Sequence, residues 1–143
     1  MTPPLVADTG GLLRALARRS DGRAAWPDYE AALREASAVI VPALILAEVD
    51  YFLRAERTAM RKLVREIVDP ETTYELEPVS ASDLARALQL DAKFHESQIG
   101  LVDGVVAAVA ERRRVLRVLT LDRRDFAALR VGPRYSQALT LLP

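Results

Sequence analysis

Short apolar runs alternate along this chain with stretches of helical period, and that alternation constrains the fold more than any other feature. Leu5-Val6-Ala7 ends at Asp8 and is followed by Thr9-Gly10-Gly11 and then Leu12, Leu13 and Leu16 at helical spacing. Ala38 to Val41 is a second run, stopped by Pro42, after which Ala43 to Glu56 reads as one helix rich in good formers. Thr72 to Leu76 alternates weakly as a third strand, and Val115 to Leu121 is a fourth, bounded by arginines. Strands separated by helices predict an α/β fold, with a central, mostly parallel sheet flanked by helices on both faces.

The connecting segments support the same reading. Trp26, Tyr29, Leu33 and Ala36 make a helical face with Pro27 in its first turn. Met60, Leu63, Val64, Ile67 and Val68 form an apolar stripe, while Arg57, Arg61 and Arg65 mark a charged face of the same helix. Ser80 and Asp83 have the spacing of a capping box, and the helix they open continues through Leu84, Leu88 and Phe94. Asp103 stands at the mouth of an amphipathic run through Val105, Val106 and Val109, in a position to cap it. A short helical turn from Arg123 to Leu129 and an apolar run from Ala138 to Leu142 complete the chain.

At 143 residues the chain suits one domain, 1–143, able to bury roughly two thirds of its unfolded surface without staples. Half the residues are apolar and 28% are charged, a globular balance. The absence of cysteine excludes a disulfide framework, a thiol nucleophile and a thiolate metal site. The longest apolar run, Ala38 to Ala47, is too short to span a bilayer, and Asp8 interrupts any signal-peptide core, so the expectation is a cytoplasmic protein without a membrane. Zero net charge argues against gripping nucleic acid by bulk attraction alone.

In a parallel sheet the ligand crevice lies beyond the carboxyl ends of the strands, where Asp8 and Asp122 fall; Glu48, two helical turns past the second strand, leans over the same edge. Asp103 joins them when its helix begins there. Two like charges 4 Å apart repel by about 4 kcal/mol at an effective dielectric of 20, so a cluster of such acids requires compensation. A hard divalent cation supplies it, and the chain has only one histidine for a softer site. The chemistry that follows is attack on phosphorus by metal-activated water. Taken singly, Asp8 and Asp103 also read as helix caps, Asp122 as a turn residue, and Glu48 as the partner of a buried arginine.

Four segments together resemble the PIN-domain ribonucleases of the VapC type, the toxin half of bacterial toxin–antitoxin pairs: ADTGGLL with Asp8, PALILAEVDYFL with Glu48, IGLVDGVVAAVAER with Asp103, and LTLDRRDF with Asp122. The resemblance spans nearly the whole chain. It implies a PIN-like fold whose four acids bind magnesium or manganese and cleave RNA, in a homodimer blocked by a VapB-like antitoxin. Carried over by position, Asp8 and Asp103 are direct metal ligands, Glu48 and Asp122 complete the coordination or position water, and Thr9 and Thr120 support the acids. Gly10 and Gly104 depart from the family's usual residues, and Gly10 removes a hydroxyl. Asp125, three residues after Asp122, reads either as a spare ligand or as an acid at the start of a helical turn.

Other features admit two readings each. Arg112, Arg113, Arg114 and Arg117, with Arg123 and Arg124, form either an RNA-phosphate surface or a solvated helix end. Trp26 and Tyr29 are expected in the core rather than in a groove. His95, beside Lys93 and Glu96, reads as incidental. A receiver-type phosphoacceptor is disfavoured because neither Lys62 nor Lys93 is suitably placed, and a dehalogenase-type phosphatase because Gly10 stands where a second aspartate belongs. A catalytically silent RNA- or protein-binding module remains the alternative, disfavoured by retention of all four acids.

Overall fold

The computed structural model describes residues 1–143. In chain order it runs β1 (Leu5–Ala7), α1 (Thr9–Leu16), α2 (Pro27–Glu35), β2 (Val39–Pro42), α3 (Ile45–Phe52), α4 (Arg57–Val68), β3 (Tyr74–Glu77), α5 (Ala81–Lys93) and α6 (Leu101–Arg113). It continues with β4 (Arg117–Leu119), α7 (Arg123–Ala128), β5 (Arg130–Val131), β6 (Gln137–Ala138) and β7 (Thr140–Leu142). No helix is long and apolar enough to cross a membrane.

Five strands pair in the order β3-β2-β1-β4-β7, and every neighbouring pair is parallel. β1 is central: Val6 is in register with Ile40 on one side and Val118 on the other, and all three residues of the strand are fully buried. The chain lays down β1, β2 and β3 outward in one direction, then returns through α5 and α6 to place β4 on the other side of β1. The order therefore reverses between β1 and β4, and a crevice opens beyond their carboxyl ends. β5 and β6 form a separate antiparallel ribbon.

α6 lies against β1 and β2 and packs along α5. Its residues from Gly104 to Ala110 are all buried, so it is enclosed on every side instead of showing the amphipathic stripe expected of it. α1, α2 and α3 pack together, with α2 reaching β4, while α4 lies on β3. These elements share one hydrophobic cluster of 29 buried residues.

Several expected boundaries shift, each for a local reason. The helix expected from Ala43 to Glu56 ends at Phe52, because the chain turns at Leu53, whose carbonyl accepts from the Glu56 N–H, before α4 begins. Pro42 does not stop β2 but closes it. It pairs in register with Glu77, and the next donor to that strand is the Ala43 N–H, so the missing proline N–H costs little. β3 starts two residues late because the Thr72 hydroxyl is bonded to the Glu66 carbonyl at the end of α4. The run Ala138 to Leu142 divides between β6 and β7 around buried Leu139. The Ser80–Asp83 capping box forms with both of its hydrogen bonds.

Of the arginines at the end of α6, Arg112 and Arg113 are taken up by acids, while Arg114 is exposed without a side-chain partner. Arg112 bonds Glu77 at 2.6 Å and Asp83 at 2.9 Å, Arg113 bonds Glu77 at 2.6 Å and Glu75 at 3.0 Å, and Arg86 bonds Glu111 at 2.8 Å. Glu111 also accepts from the Gly132 N–H at 2.6 Å. This network ties β3, α5 and α6 to the β5–β6 ribbon, and Arg117 bonds the Pro3 carbonyl.

Two glycines set the interelement spacing. A Cβ on Gly11 would lie 2.2 Å from the Leu119 carbonyl oxygen and 2.8 Å from the Thr120 nitrogen, so α1 rests directly on the backbone of β4. One on Gly104 would lie 2.9 Å from the Ala87 Cβ, where α5 and α6 meet. Gly11→Ala is expected to destabilise the protein by about 3 kcal/mol, the upper end of overpacking costs, because its obstacle is backbone that cannot rotate away. Chemical denaturation measures this, and an unchanged midpoint would show that α1 does not rest on β4.

Candidate active site

β1 delivers Asp8 to the crevice. Its carbonyl accepts from the Leu12 N–H as α1 begins, but its carboxylate makes no capping bond to that helix. Instead the Thr120 hydroxyl, at the end of β4, donates to Asp8 Oδ2 at 2.8 Å while accepting from the Asp122 N–H at 2.9 Å. One hydroxyl thus fixes the first acid and the turn that carries the last. On the next residue of α1, the Thr9 hydroxyl donates to Glu48 Oε1 at 2.7 Å, joining α1 to α3. Glu48 is exposed to the crevice and has no buried arginine as partner.

Asp103 is not a cap. Gly100 holds the cap position of α6, and Asp103 lies in the first turn. Asp122 takes the backbone cap position of α7 without a side-chain capping bond. The four predicted acids Asp8, Glu48, Asp103 and Asp122 line one cleft of about 680 Å³, with Thr9, Gly10, Leu13, Arg14, Trp26, Phe52 and Leu121 also in its wall. Asp103, Asp122 and Asp125 each offer a carboxylate oxygen, and these atoms lie within 4.8 Å of one another.

Asp125, left outside the expected set, therefore belongs to the cluster. Its three-residue offset from Asp122 on a helix was the available signal, since that spacing keeps two side chains on one face. Trp26 was expected in the core, yet it is 44% exposed and lines the cleft. The core position belongs to Tyr29, which is buried with its hydroxyl donating to the Thr120 carbonyl at 3.3 Å. The arginines at the end of α6 stand nine and ten residues beyond Asp103, roughly 14 Å along the helix, and do not line the cleft.

Charge is concentrated in this cleft with little to offset it. Burial raises the Asp8 carboxyl above its ordinary range, and Glu48 and Asp122 push in the same direction, while the Thr120 hydroxyl and the Thr9 N–H pull it back. Asp103 is pushed up to about 7, first by burial and then by repulsion from Asp8, Asp122, Asp125 and Glu48. Asp122 is raised by burial and by Asp125. Oxygen donors at this density fit a hard divalent cation, which neutralises the repulsion that burial amplifies.

An α/β sheet with a carboxylate cleft at its point of strand-order reversal defines a recognisable class of protein, and the comparisons agree. The model of the PIN domain matches residues 5–131. The chain belongs to the PIN-domain family. It is 31% identical over 132 residues to ribonuclease VapC26 of Mycobacterium tuberculosis, covering 88% of this chain and 92% of that protein. Its fold is similar to that of VapC20 from the same organism, described as a sarcin-ricin loop cleaving toxin, with a TM-score of 0.67 at 18% identity over 87% of this chain and 94% of the other. It is equally similar to FitAcB from Neisseria gonorrhoeae, with a TM-score of 0.67 at 20% identity over 97% and 96% of the two chains.

The raised Asp103 carboxyl links stability to pH in the metal-free protein. Its folded pKa of about 7 exceeds its ordinary 3.8, so the stabilisation is fully present below about pH 4 and is lost as pH rises to about 7. Asp103→Asn removes the charge that causes the loss. In chelator, the variant should melt higher than the parent by roughly 5 °C at pH 7.5, with the difference shrinking toward pH 4.5. Thermal melts across that range test it, and a pH-independent difference would refute the raised Asp103 carboxyl.

Proposed function

We propose that the chain is a metal-dependent endoribonuclease and the toxin of a toxin–antitoxin pair, cleaving RNA phosphodiester bonds in the cytoplasm. On this reading residues 1–143 form one PIN domain that works as a homodimer and is held inactive by a VapB-like antitoxin. The observation that carries it is the meeting of Asp8, Glu48, Asp103 and Asp122 in one cleft, in a chain related over most of its length to a ribonuclease. The cation is magnesium or manganese, because the donors are carboxylate oxygens and the chain has no cysteine.

Asp8 and Asp103 would hold the metal, Glu48 and Asp122 would complete its coordination or orient water, and Asp125 is close enough to Asp103 and Asp122 to share that work. When bound, the ion supplies Lewis acidity to the phosphoryl oxygens and lowers the pKa of water. The remaining chemistry belongs to the chain. Thr120 holds one oxygen of Asp8, Thr9 holds one oxygen of Glu48, and Leu13 and Leu121 supply apolar surface to the cleft wall.

Purified protein should cleave RNA with magnesium or manganese and not with chelator. Asp8→Asn and Asp103→Asn should each lower cleavage about a thousandfold, the loss expected when several kcal/mol of transition-state stabilisation goes. Magnesium should raise the melting temperature of the parent and leave that of Asp103→Asn nearly unmoved. A parent that folds, fails to cleave any RNA and gains no stability from either metal would overturn the nuclease reading in favour of a silent binding module.

A further inference from the structure

The acids do not account for the whole cleft, whose wall also carries a stacked arginine and tryptophan. The Arg14 guanidinium carbon stands 3.8 Å from the centroid of the Trp26 ring and 5.5 Å from that of Tyr29. Arg14 is the one cation among the cleft-lining residues, and its side chain makes no hydrogen bond or ion pair. Most arginines at the end of α6 are already paired, as described above, so the free donor edge in the cleft belongs to Arg14.

The platform is built rather than incidental. The loop between α1 and α2 closes on itself through the Arg18–Ala24 bridge, the Arg19 N–H on the Arg23 carbonyl at 2.8 Å and the Ala25 N–H on the Ala17 carbonyl at 2.9 Å. Arg18 also pairs with Glu30 on α2. Trp26 therefore leaves a pinned stem directly into α2, 44% exposed and in the wall of the cleft. Phe52, 60% exposed, lines the same cleft. Exposed aromatic rings beside a charged site offer faces on which a nucleobase can stack.

We propose that Trp26 and Arg14 clamp an unpaired nucleotide beside the scissile bond, Trp26 stacking its base and Arg14 pairing with its phosphate. This rests on the ribonuclease reading and deepens it by assigning two residues of this chain to hold that nucleotide. A continuous duplex keeps its base faces stacked inside the helix and offers Trp26 nothing to pack on. Arginine suits the second role because its planar fork stacks on an aromatic face while its edge donors remain free for phosphate.

Trp26 is the only tryptophan in the chain, so its emission reports on the clamp directly. Parent protein with magnesium should show strong quenching on titration with a phosphorothioate hexaadenylate RNA, which resists cleavage, and little with a phosphorothioate GC-rich RNA duplex of twelve base pairs. By anisotropy of fluorescein-labelled RNA, Trp26→Ala should weaken binding about tenfold and Trp26→Phe should recover most of it. In cleavage assays Trp26→Ala and Arg14→Met should raise KM with far less change in kcat. Absent binding, absent quenching, or equal quenching by the duplex would overturn the clamp while leaving the nuclease intact. Failure of the parent protein to cleave any RNA would instead overturn the reading beneath it.

Discussion

An aspartate only 4% exposed at the end of the central strand is the constraint on which the rest of this structure depends. Burying Asp8 costs free energy that the hydrophobic cluster must offset, and the cost is bearable only because specific donors meet it. The Thr120 hydroxyl is the principal one, and it can reach Asp8 only because β4 lies parallel to β1 with Ala7 opposite Leu119. The register of two strands, each three residues long, therefore sets where that hydroxyl meets the Asp8 carboxylate. Gly11 belongs to the same device, since only a residue without a side chain lets α1 start against the β4 backbone.

Much of this was legible in the sequence because the signals were short and local. A buried parallel strand reads as a plain apolar run, so β1 and β4 and the acids beyond them could be placed from composition and spacing. The capping box before α5 was equally explicit. The break between α3 and α4 was not, because it carries neither glycine nor proline and is set by where Leu53 packs. Trp26 was misplaced for a related reason: aromatic residues at helical spacing usually mark a buried face, and nothing local distinguishes the one that begins the helix from the one a turn later. Asp125 was visible as a residue but not as a neighbour, since its meeting with Asp103 depends on the long return through α5 and α6.

The arginines show why a charge count is a poor guide to a surface. Acids and cations balance over the chain, yet the two signs are segregated. The carboxylates at the crevice meet one unpaired cation, whereas Glu75, Glu77, Asp83 and Glu111 meet Arg86, Arg112 and Arg113 in a network away from it. Burial pushes Asp83 up, but the Arg112 fork and the Ser80 N–H outweigh it and hold the carboxyl below its usual range. The same residue type is thus driven in opposite directions at the two sites, and the direction separates a cluster that the chain's own arginines neutralise from one that they do not.

That segregation also bears on how a polyanion would approach. A neutral chain with an acidic cleft has no long-range field to draw RNA inward, so affinity must come from short-range contacts and from a cation in the cleft. A divalent ion held there would have two tasks, to cancel the repulsion among the acids and to reverse the local sign for phosphate, and both would depend on the same few oxygen atoms. Stacking fits such a site better than a basic patch would, because the attraction of a base for an aromatic ring does not weaken with ionic strength as phosphate pairing does. An arginine laid on the ring would serve both terms at once, and Arg14 lies on Trp26 without pairing with any of the four acids that line the cleft.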